Sequence, residues 1–395
     1  KFLFTSGSTK LPKAVINTHG MWCANQQQIA QTMPDMVKGP PVLVDWLPWN
    51  HTFGGNKNIG LALYHGGTVY IDEGKPTRDG IAETLRNLRE ISPTVYFNVP
   101  KGFEEIATAM ETDEQLRRTL FARVRAFMFA GAGLSQAVWD RLETLAEATV
   151  GERIRIITGL GMTETAPSCT FAVGTDVRSG WIGLPVPGVE VKLVRDGAAD
   201  DPHAKTEIRF SGPNVMPAYW RAPQQTSDAF DADGFYCIGD AAKLLDETRP
   251  ERGILFDGRV AEDFKLMSGT WVSVGTLRVR AVSALAPHVA DVVVTGHGRE
   301  EIGLLVFPTP QARALPRAEL EAHLRAGLHA LQAEGGGSSQ TPTRALILDE
   351  PPSVDAGEIT DKGYINQRAV LARRAEAVER LERGGADVLR PQPRD

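Results

Sequence analysis

Short apolar runs alternate with stretches whose apolar residues recur every three to four positions through the first part of the chain. Val42–Leu47, Thr68–Asp72, Thr94–Asn98, Arg125–Phe129 and Ile154–Ile157 read as strands. Between them, Ile81, Leu85, Leu88 and Ile91 share one helical face, and Val138, Leu142 and Leu145 share another behind a Ser135 N-cap. That alternation predicts a parallel sheet covered by helices. From Gly188 the texture changes to alternating strands, Val189–Val194 and Glu207–Phe210, with Gly/Pro/Asp turns between them, as in an antiparallel subdomain. Beyond Gly258 come a strand pair around Val292–Thr295 and Gly303–Phe307, a helix carrying Leu320, Leu324, Leu328 and Leu331, a Gly335-Gly336-Gly337 break and a strand at Ala345–Leu348. The charged, Pro-containing Glu376–Asp395 tail reads as a frayed end. The expected fold is an α/β large domain with an antiparallel β subdomain, residues 1–258, followed by a small α+β C-terminal domain, residues 259–395.

Length agrees, since 395 residues exceed what one hydrophobic core usually serves. A net charge of -6 and the absence of any sustained Lys/Arg block argue against nucleic acid and favour small-molecule chemistry. Cys23, Cys169 and Cys237 match no metal-ligand spacing, so they read as packing residues of a reduced, cytoplasmic protein. No apolar run has membrane-spanning length, which predicts no membrane insertion. The opening Lys1-Phe2-Leu3-Phe4 reads as a strand already under way and predicts further sequence before Lys1. Homo-oligomerisation stays open.

Two stretches carry chemistry. Thr5, Ser6, Ser8 and Thr9 surround Gly7, and Lys13 follows; hydroxyls, a close-approach glycine and a point charge suit phosphoryl oxygens. It is not the P-loop of kinases and GTPases, because Lys13 sits between Pro12 and Ala14. The other stretch is Ile157-Thr158-Gly159-Leu160-Gly161-Met162-Thr163-Glu164, where a strand runs through a glycine pair into a hydroxyl and a carboxylate. Open α/β sheets bind ligands at that end of a strand. Taken singly, each stretch also suits a solvated turn.

The first loop closely resembles the nucleotide-phosphate motif of the acyl-adenylating superfamily, which includes acyl-CoA ligases, luciferases and the adenylation domains of peptide synthetases. Lys10 departs from it by standing where a second glycine is usual. The resemblance implies that Thr163 contacts nucleotide phosphates and Glu164 binds Mg²⁺, with Gly161 and Met162 beside the nucleotide. Gly131-Ala132-Gly133-Leu134-Ser135 is similar to the segment against adenine and acyl substrate, and Ile238-Gly239-Asp240 to the motif whose Asp holds the ribose. Asp257–Lys265 resembles the inter-domain hinge, turning about Ala261–Asp263, with Arg259 also reaching the ribose. Lys362, in Glu358–Arg368, resembles the C-terminal lysine that steadies the carboxylate and α-phosphate, although the family's Gly-Lys order is reversed to Lys362-Gly363.

Asp45–Gly55 and Pro93–Phe103 look most like feruloyl-CoA synthetases, which implies that His51 gates an acyl pocket. Trp46 and Trp49 read as core residues first. The implied activity is ATP-, Mg²⁺- and coenzyme A-dependent ligation of an aromatic carboxylic acid such as ferulate, coumarate or caffeate. The alternatives are another adenylate-forming enzyme, acting on medium or long acyl chains or serving a carrier protein or reductase, and an inactive nucleotide-binding fragment.

Overall fold

The computed structural model describes residues 1–5, 12–77, 80–131, 133–195, 205–260, 262–335, 337–353, 356–359 and 365–391. Two compact units are present, one holding Lys1–Val194, Ile208–Ile238 and Lys243–Leu255, the other Arg195–Glu207, Gly239–Ala242 and Phe256–Asp395.

In the first unit, β1 (Phe2–Thr5) and β2 (Lys13–Ile16) pair antiparallel, and Thr18 caps α1 (His19–Thr32). Then follow β3 (Val42–Asp45), a π-helix (Thr52–Asn58), α2 (Ile59–His65), β4 (Thr68–Ile71), α3 (Ile81–Glu90) and β5 (Val95–Asn98). Next come α4 (Pro100–Met110), α5 (Glu114–Phe121), β6 (Ala126–Phe129), α6 (Gln136–Val150) and β7 (Arg155–Ile157). The pairs β3–β4, β5–β6 and β6–β7 are all parallel. Thr94 joins the two groups, its amide donating to Val42 O and its hydroxyl accepting from Val42 N, both at 2.9 Å. Asp45, Asn98, Phe129 and Ile157 therefore end their strands along one edge.

Side-chain alternation then decides the packing. Tyr96, Phe127 and Ile156 share one face and are buried under α3, α4, α5 and α6, with Phe103, Ile106, Leu120, Trp139 and Leu142 in the same cluster. Phe97, Met128 and Ile157 point to the other face. As the pattern predicts, Ser135 Oγ caps α6 by accepting from Val138 N. The antiparallel strands are β8 (Thr170–Phe171), β9 (Trp181–Pro185), β10 (Glu190–Arg195), β11 (Thr206–Ser211), β12 (Tyr236–Leu244) and β13 (Ile254–Arg259), ordered β10-β11-β12-β13-β9-β8.

The second unit carries β14 (Phe264–Lys265), β15 (Trp271–Val272), α7 (Val274–Ala284), β16 (Val289–Thr295), β17 (Gly303–Pro308), α8 (Arg317–Ala333), β18 (Arg344–Ile347), α9 (Gln367–Arg373), α10 (Ala375–Arg383) and β19 (Val388–Leu389). Its four-stranded sheet runs β16-β17-β18-β19. Val292, Val294, Leu304, Val306, Ala345 and Ile347 pack with Leu277, Leu324 and Leu328 of α7 and α8. Val293, Leu305, Phe307 and Leu346 face Val370 and Leu381 of α9 and α10.

Three expectations are corrected. The tail is not frayed over its described part, because Leu381, Val388 and Leu389 are buried and β19 pairs with β18. Trp49 is 54% exposed rather than in the core, while Trp46 is half-buried with its indole N–H donating to Asn98 Oδ1. Cys23 is exposed; only Cys169 is fully packed, and burial pushes its thiol up to about 12.

Candidate active site

Three backbone attachments bring distant residues together in the first unit. Ala218–Trp220 lies along β2, with Ile16 N donating to Ala218 O (3.2 Å) and Trp220 N to Ala14 O (2.8 Å). Upstream in the same segment, Met216 N donates to Glu164 O at 2.8 Å. Tyr219 is thereby held between Lys13 and Glu164. Lys13 Nζ donates to Tyr219 Oη (3.1 Å) and lies 4.2 Å from the ring centroid, while Tyr219 Oη donates to Glu164 Oε1 at 2.8 Å. The one phenolic proton is committed to Glu164, so Tyr236 is the donor in its 3.2 Å contact with Tyr219 Oη. Burial and the Glu164 carboxylate push both phenols up, which keeps them protonated donors at neutral pH. Glu164 is only 5% exposed and accepts from Tyr219 Oη, which Lys13 and Tyr236 contact in turn.

The turn carrying Thr163 and Glu164 is held by backbone proximity and buried amides. A Cβ on Gly161 would lie 1.7 Å from Pro167 O, and one on Gly159 2.1 Å from Thr170 O, so both positions exclude a side chain. Thr165 Oγ1 accepts from Met162 N at 2.9 Å. Asn214 Nδ2 donates to Thr165 O (2.8 Å) and Ser168 O (2.9 Å), and Gln28 Nε2 of α1 donates to Asn214 Oδ1 at 3.1 Å. Asn25 Nδ2 also reaches Ser168 O, and Asn17 Nδ2 reaches Thr163 O. Thr163 is 7% exposed. Together these buried amide donors hold the carbonyls of Thr163, Thr165 and Ser168 and so fix the turn.

Of the other expected residues, Thr5 pairs with Lys13 in the β1–β2 ladder. Gly131 follows β6 in a positive-φ conformation (φ 94°), and Gly133 is exposed beyond it. His51 caps the π-helix through Nδ1, which accepts from Phe53 N at 3.2 Å and so leaves the ring proton on Nε2. In the second unit Asp240, 5% exposed, lies 3.5 Å from Arg259 Nε, and Val260 N donates to Gly239 O, so the two ribose candidates stand together. Asp263 of the hinge segment is buried against Lys205 at 3.0 Å. Ser6, Gly7, Ser8, Thr9, Lys10, Ala132, Ala261 and Lys362 lie outside the described residues.

Tyr219, Tyr236, Asn214 and Gln28 were not foreseen from the sequence. Among the described residues no group of three His, Cys, Asp or Glu could hold a metal. A lone carboxylate suits an ion that takes most of its ligands from phosphate and water, so Glu164 fits Mg²⁺ brought with a nucleotide.

A family profile described as AMP-binding enzyme matches residues 2–220, and one described as AMP-binding enzyme C-terminal domain matches residues 275–384. The chain belongs to the AMP-binding enzyme family. Within it, the chain is 27% identical to mouse long-chain-fatty-acid–CoA ligase 6, over 78% of this chain and 48% of that protein. It is also 27% identical to 3-hydroxybenzoate–CoA ligase of Aromatoleum sp. (strain CIB), over 91% of this chain and 64% of that protein. The adenylation domain of a carboxylate reductase from Mycobacterium chelonae shares the fold, with a TM-score of 0.76 at 23% identity, covering 97% of this chain and 60% of that one. The chain spans about half to two thirds of the length of these curated relatives. Among the described residues no helix is long and apolar enough to cross a membrane.

Proposed function

We propose that this chain is the adenylating part of an ATP-dependent acid–CoA ligase acting on a hydroxycinnamic-type aromatic acid: ferulate, 4-coumarate or caffeate. The observation that carries the reading is the Lys13–Tyr219–Glu164 chain at the end of β7, which sets an ammonium and a carboxylate on either side of one phenol. An ammonium suits phosphoryl oxygens, and the carboxylate suits the Mg²⁺ that accompanies them.

The substrate carboxylate attacks the α-phosphorus of ATP, forming the acyl–O–P bond and expelling pyrophosphate. The CoA sulfur then attacks the acyl carbonyl, the acyl C–O bond breaks, and AMP leaves. Little covalent chemistry falls to the protein, so its contribution is positioning and charge stabilisation. Lys13, the hydroxyls of Thr5–Thr9, Thr163 and Lys362 would hold phosphates and carboxylate, while Asp240 and Arg259 would hold the ribose. Gly131, Ala132, Gly133, Gly161 and Met162 would border the nucleotide, and His51 the acyl group. Bound Mg²⁺ would neutralise charge on the phosphates from Glu164. On this reading residues 1–258 and 259–395 act as separate domains, and rotation about Ala261–Asp263 withdraws Lys362 between the two half-reactions.

The aromatic choice is supported by the resemblance around His51 and Tyr96 and by the 3-hydroxybenzoate relative. A second reading, transfer of the acyl group to a reductase module, is favoured by the fold shared with the carboxylate reductase domain. Thioester formation in a competition of ferulate, 4-coumarate and caffeate against acetate and palmitate, with CoA as acceptor, tests both. The hydroxycinnamates should lead, and a lead by palmitate or acetate rejects the aromatic assignment. Adenylate made without any CoA thioester favours the reductase reading.

A further inference from the structure

Lys57 is completely buried on the π-helix and its ammonium makes no hydrogen bond. Nζ sits 3.6 Å from the centroid of the Phe97 ring and 5.5 Å from that of Phe53. The nearest countercharge, Asp45, is itself buried, with Oδ1 accepting from Asn58 Nδ2 and Leu47 N while Oδ2 has no partner. Burial drives the amine well below its ordinary range and pushes the Asp45 carboxyl up to about 6. An amine with unsatisfied donors in an aromatic cage is costly to keep, and ring contact alone does not satisfy its N–H groups. A structural role would be served better by Met or Leu.

Its position gives the cost a use. Phe97 lies on the sheet face not covered by α3–α6, one residue from the C-terminal end of β5. Strand β7 of the same parallel sheet runs into Gly159–Glu164 and β6 into Gly131. Asp45 ends β3 along that edge, and His51 caps the helix that carries Lys57. A π-helix bearing a buried, unsatisfied donor beside the ligand-binding edge of a parallel sheet is a feature found at functional sites.

We propose that Lys57 reads an oxygen substituent at the end of the acid substrate remote from the carboxylate being activated, donating a hydrogen bond to the ring hydroxyl of a hydroxycinnamate. This rests on the acid-ligase reading above and deepens it: Lys57 sets specificity, and the Phe53 and Phe97 rings supply the apolar surroundings in which one hydrogen bond discriminates strongly. A site built to bond a substrate hydroxyl penalises the analogue lacking it far more than an apolar wall can, because the buried amine is then left unpaired.

The test measures kcat/KM in ATP–pyrophosphate exchange for 4-hydroxycinnamate and cinnamate, in wild type and Lys57→Met. Wild type should favour the hydroxylated acid by about 10⁴-fold, and in Lys57→Met that ratio should fall below about 100-fold, the range an apolar wall gives. The variant should melt no lower than wild type, since it trades a buried amine for an apolar chain of similar length. An unchanged ratio overturns the proposal, as does a variant that melts far lower and loses both acids alike. If wild type activates no aromatic acid but does activate fatty acids, the aromatic reading fails by itself. Lys57 is then judged on 16-hydroxyhexadecanoate against hexadecanoate, where a collapsed ratio in Lys57→Met supports the proposal and an unchanged one overturns it.

Discussion

Tyr219 donates its phenolic proton to Glu164 Oε1 at 2.8 Å while accepting from Lys13 Nζ at 3.1 Å, so one hydroxyl sets the spacing of the site's cation and carboxylate. Tyr219→Phe keeps the ring beneath Lys13 but releases both charged groups. A hydrogen bond to a charged group contributes about 1.5–3 kcal/mol, so loss of the one to Glu164 alone should lower exchange roughly 10- to 100-fold. The loss should appear as a raised Mg²⁺ requirement, with KM for the acid little changed. Steady-state exchange against Mg²⁺ concentration checks this; an unaltered Mg²⁺ dependence would separate Tyr219 from the metal role proposed for Glu164.

Gly161 should tolerate no side chain, because its Cβ would meet Pro167 O at 1.7 Å. Gly161→Ala must shift the Thr163–Glu164 turn, costing about 1–3 kcal/mol as overpacking does, and exchange should nearly vanish. Gly337→Ala, with nothing within 4 Å of the added carbon, should be silent in both melting and exchange. Similar behaviour of the two variants would contradict the tight-turn account.

Glu358 offers a pH signature. Its buried carboxylate accepts from Arg373, Arg374 and Ser353 N, and the bonded Arg374 guanidinium holds it down to about 2 from an ordinary 4.5. A depressed carboxyl adds stability that is complete above the unfolded value and is lost as pH falls from about 4.5 through about 2. Glu358→Gln should therefore destabilise the second unit by about 3 kcal/mol at neutral pH, since it leaves Arg373 and Arg374 with only the more exposed Glu350 carboxylate. The gap to wild type should close as pH approaches 2. Urea melts at pH 7 and pH 3 check it, and a pH-independent gap would show that packing, not charge, holds the segment.

Much of the frame was legible because β-branched and aromatic runs such as Val95–Asn98 and Ala126–Phe129 have few stable alternatives to a buried strand. The remainder was hidden for specific reasons. Helix α1 buries Asn25, Gln26 and Gln28, so its inner face carries amides and shows little apolar periodicity. Thr52–Asn58 reads as a polar glycine loop, yet Gly54 and Gly55 let it wind against the Leu47–Trp49 backbone as a π-helix. In α10 the many charges masked Val378 and Leu381. Thr163 and Glu164 could be picked out because a strand, two glycines and a carboxylate adjoin in sequence. Tyr219 could not, since its role depends on Ala218–Trp220 lying along β2, a pairing across some two hundred residues.

In the proposed reaction the acid is activated by bonding one of its own carboxylate oxygens to the α-phosphorus. Ferulate labelled with ¹⁸O in both carboxylate positions, turned over with ATP, Mg²⁺ and CoA, tests this directly by mass spectrometry of the products. One ¹⁸O should appear in AMP and one should be retained in the thioester carbonyl, with pyrophosphate unlabelled. Label in inorganic phosphate accompanied by ADP, or AMP formed without label, would contradict that reaction.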